Sequence, residues 1–418
     1  MDMPKMMRIK QIFESIPLPE IPAEIHSQIE KLGLDKKVNA GETAAVACGS
    51  RGVANYPLII KTIVKELKDL GLKPFLVPAM GSHGGATREG QKNVLEHLGI
   101  TEKSMGAPVR SSMEVKQIGT TEDNLPVYLD KFASEADHIV VFNRIKKHTD
   151  FEHELESGVL KMLTIGLGKQ KGADTYHQAV FNYGFPRVIF SVARAVIKNS
   201  KILFGVGSVE DAYAQTAVIK VMLPRDFEAE EKELLKTAKK LSAKLPFDYA
   251  DILIIDEMGK EISGAGFDTK IVGRIGLPLK TKEPEKPKIK RIIVCDLTDT
   301  SEGNAAGVAN ADLITQKLYD KMDANITMMN CLTSGDPEAI KIPLPLKNDR
   351  EAIETAMKCV GLIALEDLKI IRIKNTLRIE EVEVSTAYKN ELKDRKDLEL
   401  IRKEKNFAFD KHGSLRPF

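Results

Sequence analysis

Short apolar runs alternate with stretches of helical period along most of the chain. TAAVAC (Thr43 to Cys48) reads as a buried strand that ends in the glycine-flanked turn CGSRG. YPLIIKTIVKELKDLGL follows, with apolar residues at helical spacing and a stop at Gly71. KPFLVPAMG is a second strand, ending in GSHGGAT, and another helix begins near Thr87. ADHIVVFNRI is apolar almost throughout, as a strand buried on both faces must be. Residues Met113 to Asp130 predict short strands around the TTEDN turn. The stretch FPRVIFSVARAVIKN predicts a helix, and KILFGVGSVE and TAVIKVMLP predict strands. DFEAEEKELLKTAKKLSAKL predicts a helix whose acids precede its bases, which suits the helix dipole.

A second set begins at FDYADILIIDEMGK, again a strand running into a glycine loop. RIIVCDLTD predicts a strand, Asn310 to Met322 a helix, DREAIETAMKCVG a helix, and LKIIRIKN and LRIEEVEVS strands. The charged C-terminal tail reads as a peripheral helix. Residues 1–40 read as a leading arm with proline-rich turns and a short amphipathic helix from Ala23 to Leu32. Strand–loop–helix alternation is the mark of parallel sheets with crossover helices. At 418 residues the chain exceeds one ordinary core. The expected architecture is therefore two α/β domains with mostly parallel sheets and an active-site cleft between them. The domains are placed at residues 1–245 and 246–418.

Composition narrows the function classes. With 43% hydrophobic and 29% charged residues the chain is a globular one. Its 62 basic and 60 acidic residues nearly cancel, tryptophan is absent, and aromatics make up only 6%. That balance supplies neither a polyanion-binding surface nor a base-stacking platform, so no nucleic-acid partner is expected. Cys48, Cys295, Cys331 and Cys359 contain no C-x-x-C pair, which fits a reducing compartment better than a disulfide framework or a structural zinc site. The opening MDMPKMMRIKQIF is too poor in apolar residues for a signal peptide, and no run approaches a membrane span. A cytoplasmic location is the expectation.

In open α/β sheets, ligands gather at the carboxyl ends of the strands. Four polar loops stand at predicted strand ends: CGSRG, GSHGGAT, RIKKH and DEMGKEISGAG. The densest chemistry runs from Asn143 to Gln178. Arg51, between Gly49 and Gly52, has the planar fork that grips a carboxylate or phosphate, although a turn arginine on the surface reads the same way. His83 has neighbours without bulk, which lets a ligand approach the ring. His148 follows two lysines, a setting that favours the neutral, base-competent imidazole. Lys161 lies among Val159, Leu160, Met162 and Leu163, so it must be paired, snorkelling or chemically used. His26, His97, His138 and His412 lack clustered context and read as structural or exposed, as His153 can. IGLGK lacks the third glycine of the dinucleotide fingerprint, and there is no P-loop, HExxH helix or GxSxG elbow.

Taken in order, these residues resemble the nickel-dependent lactate racemase family. The resemblance implies a nickel-pincer nucleotide cofactor, that is, nickel(II) with pyridinium-3,5-bisthiocarboxylic acid mononucleotide. It places the family's covalent tether on Lys161 of SGVLK and its nickel-ligating histidine, sixteen residues later (177 − 161 = 16), on His177. It makes His83 and His148 the proton donor and acceptor on opposite faces of the substrate. Arg51 holds the substrate carboxylate or neighbouring cofactor groups, Cys48, Gly49 and Ser50 line the cofactor, and the second-domain loop GKEISGAGFDTK is expected to contact substrate or phosphate through Lys270, Lys260 or Asp268. The first domain then carries the cofactor lysine and the catalytic histidines, and the second closes the cleft. The implied activity is inversion at C2 of a 2-hydroxy acid by hydride transfer through a 2-keto acid. Cofactor-maturation proteins are the implied partners. The chain reads CGSRGV where the family has an acid followed by TRP, and it lacks the family's late tryptophan. Those departures point away from lactate to another 2-hydroxy acid, such as an aldonate. Lactate racemisation and a non-catalytic binding role are the alternatives. A nicotinamide dehydrogenase ranks below both because the glycine fingerprint is missing.

Overall fold

The computed structural model describes residues 2–149, 151–277 and 281–418. Its strands, in chain order, are β1 (Met6–Gln11), β2 (Thr43–Cys48), β3 (Lys73–Pro78), β4 (Val115–Thr120), β5 (Pro126–Asp130), β6 (His138–Arg144), β7 (Ile202–Glu210) and β8 (Thr216–Met222). They continue with β9 (Tyr249–Ile255), β10 (Lys288–Val294), β11 (Leu313–Thr315), β12 (Leu344–Leu346), β13 (Ile370–Ile373), β14 (Glu381–Ser385) and β15 (Leu398–Lys405). The chain divides into two units. One comprises Glu14–His148 and Glu152–Ser242; the other comprises Met1–Phe13, Thr149–Phe151 and Ala243–Phe418.

The first of these units is built on a sheet of order β3-β2-β6-β7-β8. Its four leading strands are mutually parallel and β8 returns antiparallel to β7. The parallel strands are buried along nearly their whole length, which is why their sequences are apolar without alternation. The helix Tyr56–Asp69 buries Ile59, Ile60, Ile63, Val64 and Leu67 at helical spacing against β2 and β3, and the chain turns at Gly71 with φ +80°. The helix Arg88–His97 starts where Thr87 caps it by accepting from the Gly90 N–H. The β4–β5 hairpin stands apart as a two-stranded ribbon. The α/β expectation holds, with an antiparallel edge added.

The other unit has an eight-stranded mixed sheet, β12-β11-β10-β9-β13-β14-β1-β15. The run from β12 to β13 is parallel, and β14, β1 and β15 are added antiparallel. Three expectations are corrected here. The leading arm holds more than turns and a helix, because its Met6–Gln11 segment is an interior strand between β14 and β15. The charged tail is not a helix beyond Lys389–Leu392; Leu398–Lys405 forms the edge strand β15. Charges on both faces hid its strand character, and they also suit an edge that must resist pairing with other chains. Within Asn310 to Met322 the helix is confined to Gln316–Lys321, after the buried strand β11 and an N-cap at Thr315. No helix of the described residues is long and apolar enough to cross a membrane.

Candidate functional site

The exits of β2, β3 and β6 all meet one short helical segment. After β6 the chain crosses a loop closed by paired backbone hydrogen bonds between Lys146 and Ser157. Glu156, its side chain fully buried, holds that loop by accepting from the His148 N–H at 2.6 Å and pairing with Lys239 at 2.7 Å. The helix Val159–Lys161 then begins and runs straight into a π-helical turn, Met162–Gly166. Such wide turns are rare and recur at functional sites. The β2 loop meets it at Gly49, where a Cβ would lie 3.1 Å from Met162 Cε. The β3 loop meets it at Gly81, whose N–H donates to the Gly166 carbonyl at 3.4 Å. At the end of β6, the Asn143 amide donates to the Gly158 carbonyl at 2.6 Å.

The start of this helix is fixed by a residue that sequence reading did not single out. Glu231, on the helix Phe227–Leu241, is buried and accepts from the Leu160 N–H at 3.1 Å. A carboxyl at a helix N-terminus satisfies donors that would otherwise be orphaned. Burial pushes its pKa up to about 8, against the pull of the Leu160 and Val159 N–H groups, so it is a neutral acid at neutral pH. Gly158 packs against it: a Cβ there would sit 1.9 Å from Glu231 Oε1, so the carboxyl would have to shift. One signal was available in the sequence: Phe227, Glu231, Leu234, Leu235 and Ala238 share a helix face, and a lone glutamate on that stripe has to be satisfied.

The predicted chemical residues fall as follows. His148 is buried and half-buried Lys161 reaches it, Nζ to Nε2, at 2.5 Å. His177 lies half-buried on the helix Lys169–Tyr183. The Phe185 ring stands against both histidines, with centroids 5.7 Å from His148 and 6.5 Å from His177. His83 is exposed, and its Nδ1 is hydrogen-bonded to Ser50 Oγ. A hydroxyl can donate to that nitrogen or accept from it, so Nε2 can hold a proton or receive one. Arg51 is solvent-exposed; its guanidinium pKa is lowered by desolvation first and by the charge of Arg144 second. Arg144 is itself paired with Glu210. Of these two influences on Arg51 the neighbouring charge is the more telling, since the side chain still reaches water.

Cys48 contributes no thiol to this site. Its side chain packs in the core with Tyr56, and burial pushes the thiol up to about 12. Gly49 presents backbone, its carbonyl accepting from the Tyr56 hydroxyl at 3.1 Å. Lys260, Asp268 and Lys270 belong to the other unit; Asp268 caps the short helix Thr269–Val272 by accepting from the Lys270 N–H at 2.8 Å. Two of the other histidines have ordinary partners, His26 with Glu66 at 2.9 Å and His138 with Glu42 at 2.7 Å.

Among the described residues no group of three or more histidine, cysteine, aspartate or glutamate side chains could hold a metal ion.

Residues 14–184 match the family model of the lactate racemase N-terminal domain. Among solved structures, it is similar to a protein from Thermotoga maritima at 16% identity and TM-score 0.53, covering 78% of this chain and 84% of that one. It is also similar to the lactate racemase apoprotein from Thermoanaerobacterium thermosaccharolyticum at 14% identity and TM-score 0.45, covering 89% of each chain. The first of these likenesses bears on fold alone. No protein of curated function matches the chain in sequence.

Proposed function

We propose that this lactate racemase-like chain is an isomerase, a racemase or epimerase that inverts C2 of a 2-hydroxy acid with a nickel-pincer nucleotide held on Lys161. The observation that carries the reading is the contact of Lys161 Nζ with His148 Nε2 at 2.5 Å. A tether and a base belong side by side when a cofactor must be held against the substrate's hydroxyl. When bound, the cofactor would supply the electrophile that accepts hydride from C2, which is the difficult part of the chemistry. His177 would ligate its nickel.

The chain's own residues supply binding and proton movement. Arg51 holds the substrate carboxylate, leaving C2 and its hydroxyl free to face the base. One histidine takes the hydroxyl proton from one enantiomer and the other serves its mirror image. His148 and His83 are assigned to these two faces, each contributing on the order of 10²–10⁴-fold. Ser50 keeps the His83 ring oriented through either protonation state. Phe185 screens His148 and His177 from water on one side.

Glycines and serine around His83 leave space for further hydroxyls, which favours a sugar acid such as an aldonate over lactate. Maturation proteins that deliver the cofactor are the proposed partners. Chiral 2-hydroxy acids offered singly to matured protein test the reading: optical purity should fall for at least one aldonate and not for lactate. Retention of optical purity across lactate, malate and the aldonates would contradict it.

A further inference from the structure

Lys169 opens the helix that carries His177 and is completely buried. Its Nζ donates to the Pro78 carbonyl at the end of β3 and to Gln91 Oε1 at 2.9 Å, and faces Asp130 Oδ2 at 3.3 Å. Two acceptors hold the nitrogen by hydrogen bonds, and the Asp130 carboxyl stands beside it at ion-pair distance. Burial opposes charge on both Lys169 and Asp130, while their mutual attraction favours it. The hydrogen bonds from Nζ to Pro78 and Gln91 fix the lysine whatever the balance between them. Gln91 is also fully buried and carries the arrangement onward, its Nε2 donating to the Gly81 carbonyl at 2.9 Å and the His83 carbonyl at 3.3 Å.

The helix is fastened at its other turns as well. Tyr176, adjacent to His177, accepts from the Tyr128 N–H at 2.9 Å and donates to the Pro126 carbonyl at 3.2 Å. Asp130 accepts from the Ala133 N–H at 2.9 Å, and its own N–H donates to the Leu167 carbonyl at 2.7 Å. Fold stability alone does not ask for this. Apolar side chains of similar volume replace buried ion pairs at little or no cost in stability. What an apolar core cannot do is fix one carbonyl of a loop at one distance from one helix.

We propose that Lys169, Asp130 and Gln91 form a positioning relay that locks the backbone of His83 to the first turn of the His177 helix. The proton-carrying loop and the metal-binding helix then keep a single relative geometry. That consequence rests on the roles proposed above for His83 and His177, whereas the relay itself does not.

Gln91→Glu separates the two. The carboxylate keeps the size of the side chain and still accepts from Lys169, but it cannot donate to Gly81 or His83. In protein without cofactor, hydrogen exchange over residues 80–87 should quicken about tenfold while the sheet strands keep their protection. The His83 ring resonances should move in the same variant. Lys169→Met should loosen residues 80–87 and 169–177 together; if it does not fold, Gln91→Glu decides alone. In matured enzyme, Gln91→Glu should lower kcat and leave KM nearly unchanged. Wild-type exchange over residues 80–87, or quickening spread evenly over the whole unit, would overturn the relay. Absence of racemisation by the wild type would instead overturn the proposed function and leave the exchange result standing.

Discussion

Lys161 Nζ and His148 Nε2 stand 2.5 Å apart, and a contact that short requires one nitrogen to donate and the other to accept. An ammonium facing a neutral imidazole meets that condition. The tether and the base are therefore coupled before any cofactor is present, and converting Lys161 to a non-basic linkage would release Nε2 for the substrate. His148→Ala should abolish interconversion, a loss of at least about 10²-fold, while nickel stays bound. His83→Ala should do the same. Optical purity and metal content measured on the same preparations check this, and full activity in either variant removes that histidine from the mechanism.

Ser50 is hydrogen-bonded to the His83 ring. Ser50→Ala removes one hydrogen bond, about 1 kcal/mol, and should slow turnover roughly fivefold without moving the melting temperature by more than a few degrees. Steady-state kinetics beside a thermal melt give the answer. A stability loss that matches the activity loss would instead make Ser50 a structural residue.

Arg51→Lys preserves charge and discards the planar fork. KM should rise about tenfold with kcat little changed if the guanidinium grips the carboxylate through both arms. An unchanged KM would place the carboxylate elsewhere.

Glu231 gives the fold a pH signature. Its folded pKa, about 8, lies above the ordinary 4.5, so the folded state binds the proton more tightly than the unfolded state. Its contribution is complete below about pH 4.5 and declines as pH rises through about 8. Glu231→Gln keeps an acceptor for the Leu160 N–H and cannot ionise. Subtracting the melting curves of variant and wild type between pH 5 and 9 should show the wild type losing stability progressively toward the alkaline end. A difference independent of pH would contradict a neutral buried acid. Gly158→Ala is predicted to lower stability as well, because its Cβ would displace the carboxyl that lies 1.9 Å away.

The alternation of apolar strands and amphipathic helices was sufficient to read the α/β class, since parallel strands must be apolar and their crossover helices must carry a stripe. The strand-end loops were legible for the same reason: CGSRG and GSHGGAT interrupt a pattern that is otherwise regular. What escaped was long-range. β15 carries charges on both faces because it lies at an edge, and charge without alternation resembles a surface helix. Met6–Gln11 gave no hint of partners hundreds of residues away in β14 and β15. Lys169 looked like a poor nucleotide motif, and its acceptors at Pro78, Gln91 and Asp130 come from three separate elements. Cys48 was placed at the site by position alone, although a cysteine closing an apolar run more simply belongs to the core.

The most direct measurement is the mass of Lys161. Protein matured together with the cofactor pathway, digested and mapped, should carry an adduct on the peptide containing Lys161, with nickel near one equivalent per chain. Unmodified Lys161 and no nickel under those maturing conditions would contradict the account at its centre.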